Sequence, residues 1–301
     1  MSDYFIENSS IFLSPSQGSW VILSPIEQSI KNKIEKYGTP LKDWNIRINY
    51  GIKTGYNEAF IIDGKKRSQL IEEDPKCEAI IRPILRGRDI KRYKYDFADL
   101  YLIATFPSKH YDIDDYPSVR EHLTSFGIER LEQSGKEYII NGEKFKSRKK
   151  TCNKWFETQD SISYWDDLFS LKIMWIELSD ESKFCISDKF IPLNTVFFMT
   201  GENLYPILGI LNSKIILWYF SSCLGTTSGV GTNRWLKYKI EDLPICQNYP
   251  MILANIIKQI IEKKSKNLDT SYDELEVDRI VSNCFNLSDK EFEYINNFLK
   301  T

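Results

Sequence analysis

The sequence has only two histidines, His110 and His122, and neither has a cysteine nearby at zinc-ligand spacing. Its six cysteines (Cys77, Cys152, Cys185, Cys223, Cys246 and Cys284) are scattered, with no Cys-x-x-Cys among them. Zinc sites need clustered sulfur and imidazole donors, so these residues read as reduced, mostly buried thiols, and no metal site is expected. There is no Gly-Lys-Ser/Thr phosphate loop and no nucleophile elbow. The longest apolar run, Ile215–Phe220, falls far short of the roughly 20 residues that cross a bilayer. No positive leader precedes an apolar stretch in MSDYFIENSS. These absences describe a cytoplasmic protein with no membrane partner. An excess of charge of either sign is missing too: 40 Lys and Arg stand against 42 Asp and Glu, a net of −2. A general nucleic-acid coat protein is thereby disfavoured, although a focused basic cleft is not.

Two further chemistries lack their motifs. Methyl transfer to adenine uses a Gly-rich cofactor turn and an Asn/Asp-Pro-Pro-aromatic string. The nearest string here, Asn248-Tyr249-Pro250, lacks the paired prolines and reads as a hinge. Metal-dependent nucleases need carboxylates and a lysine around one ion. Glu181-Ser182-Lys183 with Asp166 upstream has that composition, but short Glu-x-Lys strings arise by chance in charged chains. No catalytic residue is assigned, and the chain reads as a binding module.

What is present is charge concentrated locally. Between Arg82 and Lys94, the cations Arg82, Arg86, Arg88, Lys91, Arg92 and Lys94 face one acid, Asp89, a local net of +5. Between Lys136 and Lys154, seven cations face Glu137 and Glu143, again +5. Such stretches are solvated loops or phosphate-facing edges. A third polar element, GTTSGVGTNRW at 225–235, ends in Asn233-Arg234-Trp235. Arg234 stands where a dinucleotide fingerprint would have its third glycine. The loop is an ordinary connection or a contact to a nucleic-acid backbone or base edge.

Periodicity places these stretches. Ser24-Pro25-Ile26-Glu27 is a capping box that opens a helix ending at Gly38, with Ile26, Ile30 and Ile34 on one face. Strands are expected at Trp44–Tyr50, Ala59–Ile62, Asp99–Thr105, Leu171–Leu178, Lys183–Ile186 and Thr195–Thr200. A helix begins at Tyr116-Pro117, and Glu202–Leu224 reads as one long apolar helix. Trp155, Phe156, Tyr164, Trp165 and Phe169 read mostly as core. The tail holds three helices, at Met251–Lys264, Asp273–Phe285 and from the capping box Ser288–Glu291 onward. From Glu262 to the end there are nine acids and six bases, which suits a docking element better than a DNA-facing one.

Several segments taken in order resemble one family. GIKTGYNEAFIID, IIRPILRGRDIKRY, YPSVREHL, KFKSRKK, KWFETQDSISYWDDLFSLKIMW, LGILNSK and RWLKYKIEDLPI together look like the TaqI-like C-terminal specificity domain. The family's usual proline after Leu-Pro-Ile is Cys246 here. The resemblance extends over roughly residues 20–300. It implies a target recognition domain that reads duplex DNA for an adenine-specific DNA methyltransferase or a Type IIG restriction-modification enzyme. Chemistry would then belong to a separate amino-terminal methyltransferase domain or subunit using S-adenosylmethionine, with Mg in a nuclease part. None of these cofactors is assigned to the chain itself. The expected fold is α+β: a β-rich recognition domain with inserted helices over 24–247, then a small helical unit over 248–301. Residues 1–23 are expected to be a linker or first strand from the preceding domain. Phosphate contacts are assigned to Lys53, Arg86, Arg88, Lys91, Arg92, Lys146, Lys149 and Lys150. Base-edge contacts are assigned to Asn57, Arg148, Asn233 and Arg234, because Arg pairs with guanine and Asn with adenine in the major groove. The competing reading is a protein-interaction scaffold, or a regulator of a methyltransferase, without DNA affinity of its own.

Overall fold

The computed structural model describes residues 10–11, 22–140, 142–224, 227–228 and 232–299. Its first sheet orders the strands Phe184–Ser187, Lys172–Ile176, Val196–Gly201 and Ile46–Tyr50, each antiparallel to its neighbour. Successive side chains leave a strand on opposite faces. Here both faces are covered, so alternation sorts apolar residues between two cores. Ile48, Ile173, Trp175, Phe197 and Met199 enter one; Met174, Cys185, Val196 and Phe198 enter the other.

The first core takes in the opening helix Pro25–Tyr37, the apolar helices Leu204–Asn212 and Lys214–Tyr219, and the three tail helices Ile252–Ser265, Ser271–Cys284 and Asp289–Phe298. The second core lies under a second sheet, ordered Ile191–Pro192, Ile81–Leu85, Leu100–Ile103 and Ile61–Asp63. Helices Gly64–Glu73 and Pro117–Thr124 add Leu70, Val119 and Leu123 to it. The result is α+β, a β-rich body with inserted helices and a helical carboxy-terminal region. Of the stretch 1–23, the backbone of Ser10–Ile11 pairs antiparallel with Ile22–Leu23, and the rest lies outside the described residues. No single helix among the described residues is long and apolar enough to cross a membrane.

Three expectations differ from the structure, and one helix was not expected. Ala59 and Phe60 close a one-turn helix, Asn57–Phe60, and the strand begins at Ile61. A short apolar run does not by itself distinguish a strand from a helical turn. The strand ends at Asp63, which also caps a helix that was not expected, Gly64–Glu73: Asp63 Oδ1 accepts the Lys66 N–H at 2.7 Å. That helix buries only Leu70, so it carries no apolar stripe to read. The basic segment after Gly135 is a hairpin, Glu137–Ile140 with Glu143–Lys146. The long helix over Glu202–Leu224 is two helices and a π-turn, bent by 58°. The break has a cause. Asn212 is clamped to the Phe184 backbone, accepting its N–H at 3.2 Å and donating to its carbonyl at 2.9 Å. Ser213 then caps the next helix by accepting the Ile216 N–H.

The tail closes back on the opening helix through Glu291. Its carboxylate accepts from Ser29 Oγ and Lys33 Nζ, each at 2.7 Å, and from the Ser288 N–H. Burial opposes its charge, but the Lys33, Ser288 and Ser29 hydrogen bonds outweigh burial and hold the group at about 2. A carboxyl depressed in this way stabilises the fold fully above about pH 4.5, and the stabilisation is lost as pH falls toward 2. Urea unfolding midpoints followed between pH 7 and pH 2 should therefore drop along that acid limb. Glu291→Gln should lower the midpoint at pH 7 and flatten the limb. An unchanged limb would remove Glu291 as the closing contact.

Candidate nucleic-acid interface

The segment Pro192–Val196 connects the two sheets, and the polar loops are built on it. The strand Ile191–Pro192 runs parallel to Ile84–Leu85, and the Leu193 N–H donates to the Leu85 carbonyl at 3.0 Å. The Gly51 and Ile52 N–H groups donate to the Val196 and Pro192 carbonyls, both at 2.8 Å. Gly51 has no room for a side chain: an added Cβ would lie 2.1 Å from the Leu193 carbonyl oxygen. The Gly87 N–H reaches Thr195 Oγ1 at 3.3 Å. Val196 also pairs with Ile176, the residue before Glu177, and Glu177 carries Arg234. The turn after Gly51, the basic turn at Gly87 and the Asn233–Trp235 stretch thus meet at one end of the sheets.

The basic hairpin region joins through the same turn. The Gln159 N–H donates to the Lys53 carbonyl at 3.1 Å. Arg148 Nη1 donates to the Thr54 carbonyl at 2.8 Å. Trp235 fixes the last of the four elements. It stacks on Phe220 with ring centroids 3.8 Å apart, its N–H donates to the Glu177 carbonyl, and its indole donates to Ser179. Burying so large a side chain with its polar atom satisfied makes a firm anchor.

Within this frame the cations divide into two groups. Lys53, Arg88, Lys146, Lys149 and Lys150 are exposed, and their side chains form no hydrogen bond or ion pair among the described residues. Lys91 is half-buried, its ammonium on the Arg88 carbonyl at 3.0 Å. The others are committed internally. Arg86 makes a bidentate pair with Asp89, at 3.0 and 2.8 Å. Burial works against the Asp89 charge, but the Arg86 contacts keep its carboxyl below the usual range. Arg92, assigned to phosphate from the sequence, turns toward the tail. Its guanidinium pairs with Glu274 at 2.6 Å and donates to the Asn212 carbonyl, so it ties the basic turn to the tail. Lys264 meets the same Glu274 at 2.8 Å.

The base-edge set is reduced as well. Arg148 is only 4 % exposed, over the Phe60 ring. It donates to the carbonyls of Leu131, Thr54, Glu157 and Trp155 at 2.6–2.8 Å. Burial pulls it down to about 10, so it is still a cation at neutral pH. It gathers four backbone segments, so in this structure it is not placed at a base edge. Asn233 is 5 % exposed and donates to Ser221 Oγ at 2.8 Å, which withdraws its amide. Asn57 is exposed, with Oδ1 accepting from Thr54 Oγ1 at 2.6 Å and its amide nitrogen making no hydrogen bond among the described residues. Arg234 is partly exposed and held by Glu177. Of loop 225–235, residues 225–226 and 229–231 lie outside the described residues. Glu177 and Glu274 were not foreseen as partners, because ion pairs between distant segments leave no mark in spacing, whereas Asp89 lies only three residues from Arg86. Among the described residues no three His, Cys, Asp or Glu side chains gather as metal ligands.

Residues 82–245, more than half of the chain, match the TaqI-like C-terminal specificity domain, and the chain belongs to that family. The match is narrower than the resemblance read over residues 20–300, and Lys53 and Asn57 fall outside it. The fold is similar to that of the Type IIL restriction-modification enzyme MmeI, solved in complex with DNA. The TM-score is 0.57 at 12 % identity, over 87 % of this chain and 36 % of that one. The Type IIG restriction endonuclease BpuSI also matches, with a TM-score of 0.49 at 12 % identity, over 86 % of this chain and 32 % of that one. The chain spans about a third of the length of these structures.

The division of the cations can be checked by stability alone. Arg148→Ala leaves several buried carbonyls without donors and is expected to cost at least about 2 kcal/mol in urea unfolding. Lys149→Ala and Lys150→Ala should stay within about 0.5 kcal/mol of wild type. A tolerated Arg148→Ala would return that residue to the ligand-facing set.

Proposed function

We propose that this chain reads duplex DNA as the specificity part of a restriction-modification enzyme of Type IIG or of an adenine-specific DNA methyltransferase. The observation that carries the proposal is the meeting, at one end of the two sheets, of loops bearing exposed cations without partners among the described residues. Family membership favours the same reading. Lys53, Arg88, Lys91, Lys146, Lys149 and Lys150 are the phosphate contacts in this account. Positive groups that neutralise phosphates release condensed counterions, which gives affinity and register without sequence information. Asn57 and Arg234 are the remaining base readers. Arg234 would exchange Glu177 for guanine O6 and N7, so Glu177 keeps the guanidinium oriented until DNA arrives.

In this account residues 24–247 form the recognition domain and 248–301 the helical unit that supports it. Methyl transfer and cleavage would be carried out by a methyltransferase domain or subunit, with S-adenosylmethionine and Mg bound there. The place of action is the cytoplasm.

Fluorescence anisotropy with duplex DNA tests the reading. Lys53→Ala with Arg88→Ala should weaken binding to every sequence alike and reduce the slope of log affinity against log salt by about 2. Arg234→Ala should instead relax preference at one position, by about 1–3 kcal/mol of discrimination. Unchanged binding in the double variant would defeat the phosphate assignment. Preference intact in Arg234→Ala would remove Arg234 as a base reader.

A further inference from the structure

The hairpin Glu137–Ile140 with Glu143–Lys146 presents two unlike faces. On one, Tyr138 and Phe145 stack with centroids 5.7 Å apart. The Arg130 guanidinium lies 4.7 Å from the Phe145 ring, and Tyr138 Oη donates to Glu132 at 2.6 Å. That face is seated on the body of the protein. On the other, Ile139 pairs across the ladder with Lys144, and Glu137 with Lys146. Ile139 is 74 % exposed, more than any other isoleucine among the described residues.

By strand alternation the face of Ile139 carries Lys144 and Lys146 against Glu137. Lys144 neutralises Glu137 at 2.7 Å. Lys146 on that face, and Lys136, Lys149 and Lys150 where the chain enters and leaves the hairpin, have no side-chain hydrogen bond or ion pair among the described residues. The register leaves two residues to close the hairpin, and Gly142 takes φ +83° with open space beside it. The projecting end is therefore a narrow two-stranded ribbon with an apolar side chain among positive charges. A ribbon of that width fits a DNA groove. Apolar side chains flanked by cations can enter a base step, because phosphate neutralisation offsets part of the unstacking cost.

We propose that Ile139 is a wedge that enters a base step of the bound duplex and unstacks it while the hairpin lysines grip the flanking phosphates. The proposal rests on the DNA-reading role and adds a deformation of the DNA to it. It also gives the exposed isoleucine a use that the fold does not supply, since Ile139 contributes nothing to the face seated on the body.

The test uses the full chain and a mixed-sequence duplex with 2-aminopurine replacing each adenine of one strand. Binding is followed by anisotropy and unstacking by 2-aminopurine fluorescence on the same sample. Wild type is expected to bind and to raise the fluorescence several-fold. Ile139→Ala, whose backbone ladder is unaffected, should bind within about tenfold of wild type and lose the rise. Ile139→Leu should keep it. A wild-type chain that binds without the rise, or an Ile139→Ala variant that retains it, overturns the wedge and leaves DNA reading in place. A wild-type chain that binds no duplex overturns both. Self-association of wild type that Ile139→Ala abolishes, with no fluorescence change on DNA, would assign the face to a second copy instead.

Discussion

The five residues Pro192–Val196 are the constraint on which the arrangement depends. They leave the second sheet, pass beneath the turn at Gly51 and enter the middle of the first sheet. Their carbonyls take the Gly51 and Ile52 N–H groups, and Thr195 takes the Gly87 N–H. A displacement here would move the Lys53 turn and the Arg86–Asp89 turn together. Backbone hydrogen bonds of this kind are modest singly, at roughly 1 kcal/mol net. Left unmade inside the protein they cost more, and this asymmetry fixes the loops relative to one another.

Charge is organised around that frame by separation of roles. Arg86, Arg92 and Arg148 look from the sequence like surface cations, yet each holds structure. Arg86 closes its own turn on Asp89, Arg92 joins the turn to the tail through Glu274, and Arg148 ties four backbone segments. Arginine suits such sites because its planar fork offers several fixed donors. In the proposed role the exposed lysines around them are compact charges that would meet phosphate without demanding one geometry. The acidic tail belongs to the same division. Glu274 and Glu291 are taken up by contacts with Arg92 and Lys33, so the tail acts as support for the basic turn.

Much of the fold was legible in the sequence. Capping boxes and apolar spacing located the opening helix and the three tail helices. Two-sided apolar runs located the strands of the first sheet. Helix Gly64–Glu73 escaped because it buries one leucine, and the break at Ser213 escaped because a distant strand clamps Asn212. For the site, the two basic stretches were legible as concentrations of charge. The division of their residues was not, since it depends on carboxylates and carbonyls that folding brings from far along the chain. Arg148 illustrates this: the four carbonyls it serves lie 7, 9, 17 and 94 residues away along the chain, and no local pattern announces them.

The central claim is that these converging loops confer sequence preference on the chain by itself. Its most direct test is selection: the full 301-residue chain is incubated with a randomised duplex pool, bound duplexes are recovered over successive rounds, and they are sequenced. The account predicts enrichment of one short duplex motif. Recovery of duplexes without any enriched motif, or no recovery at all, would contradict it.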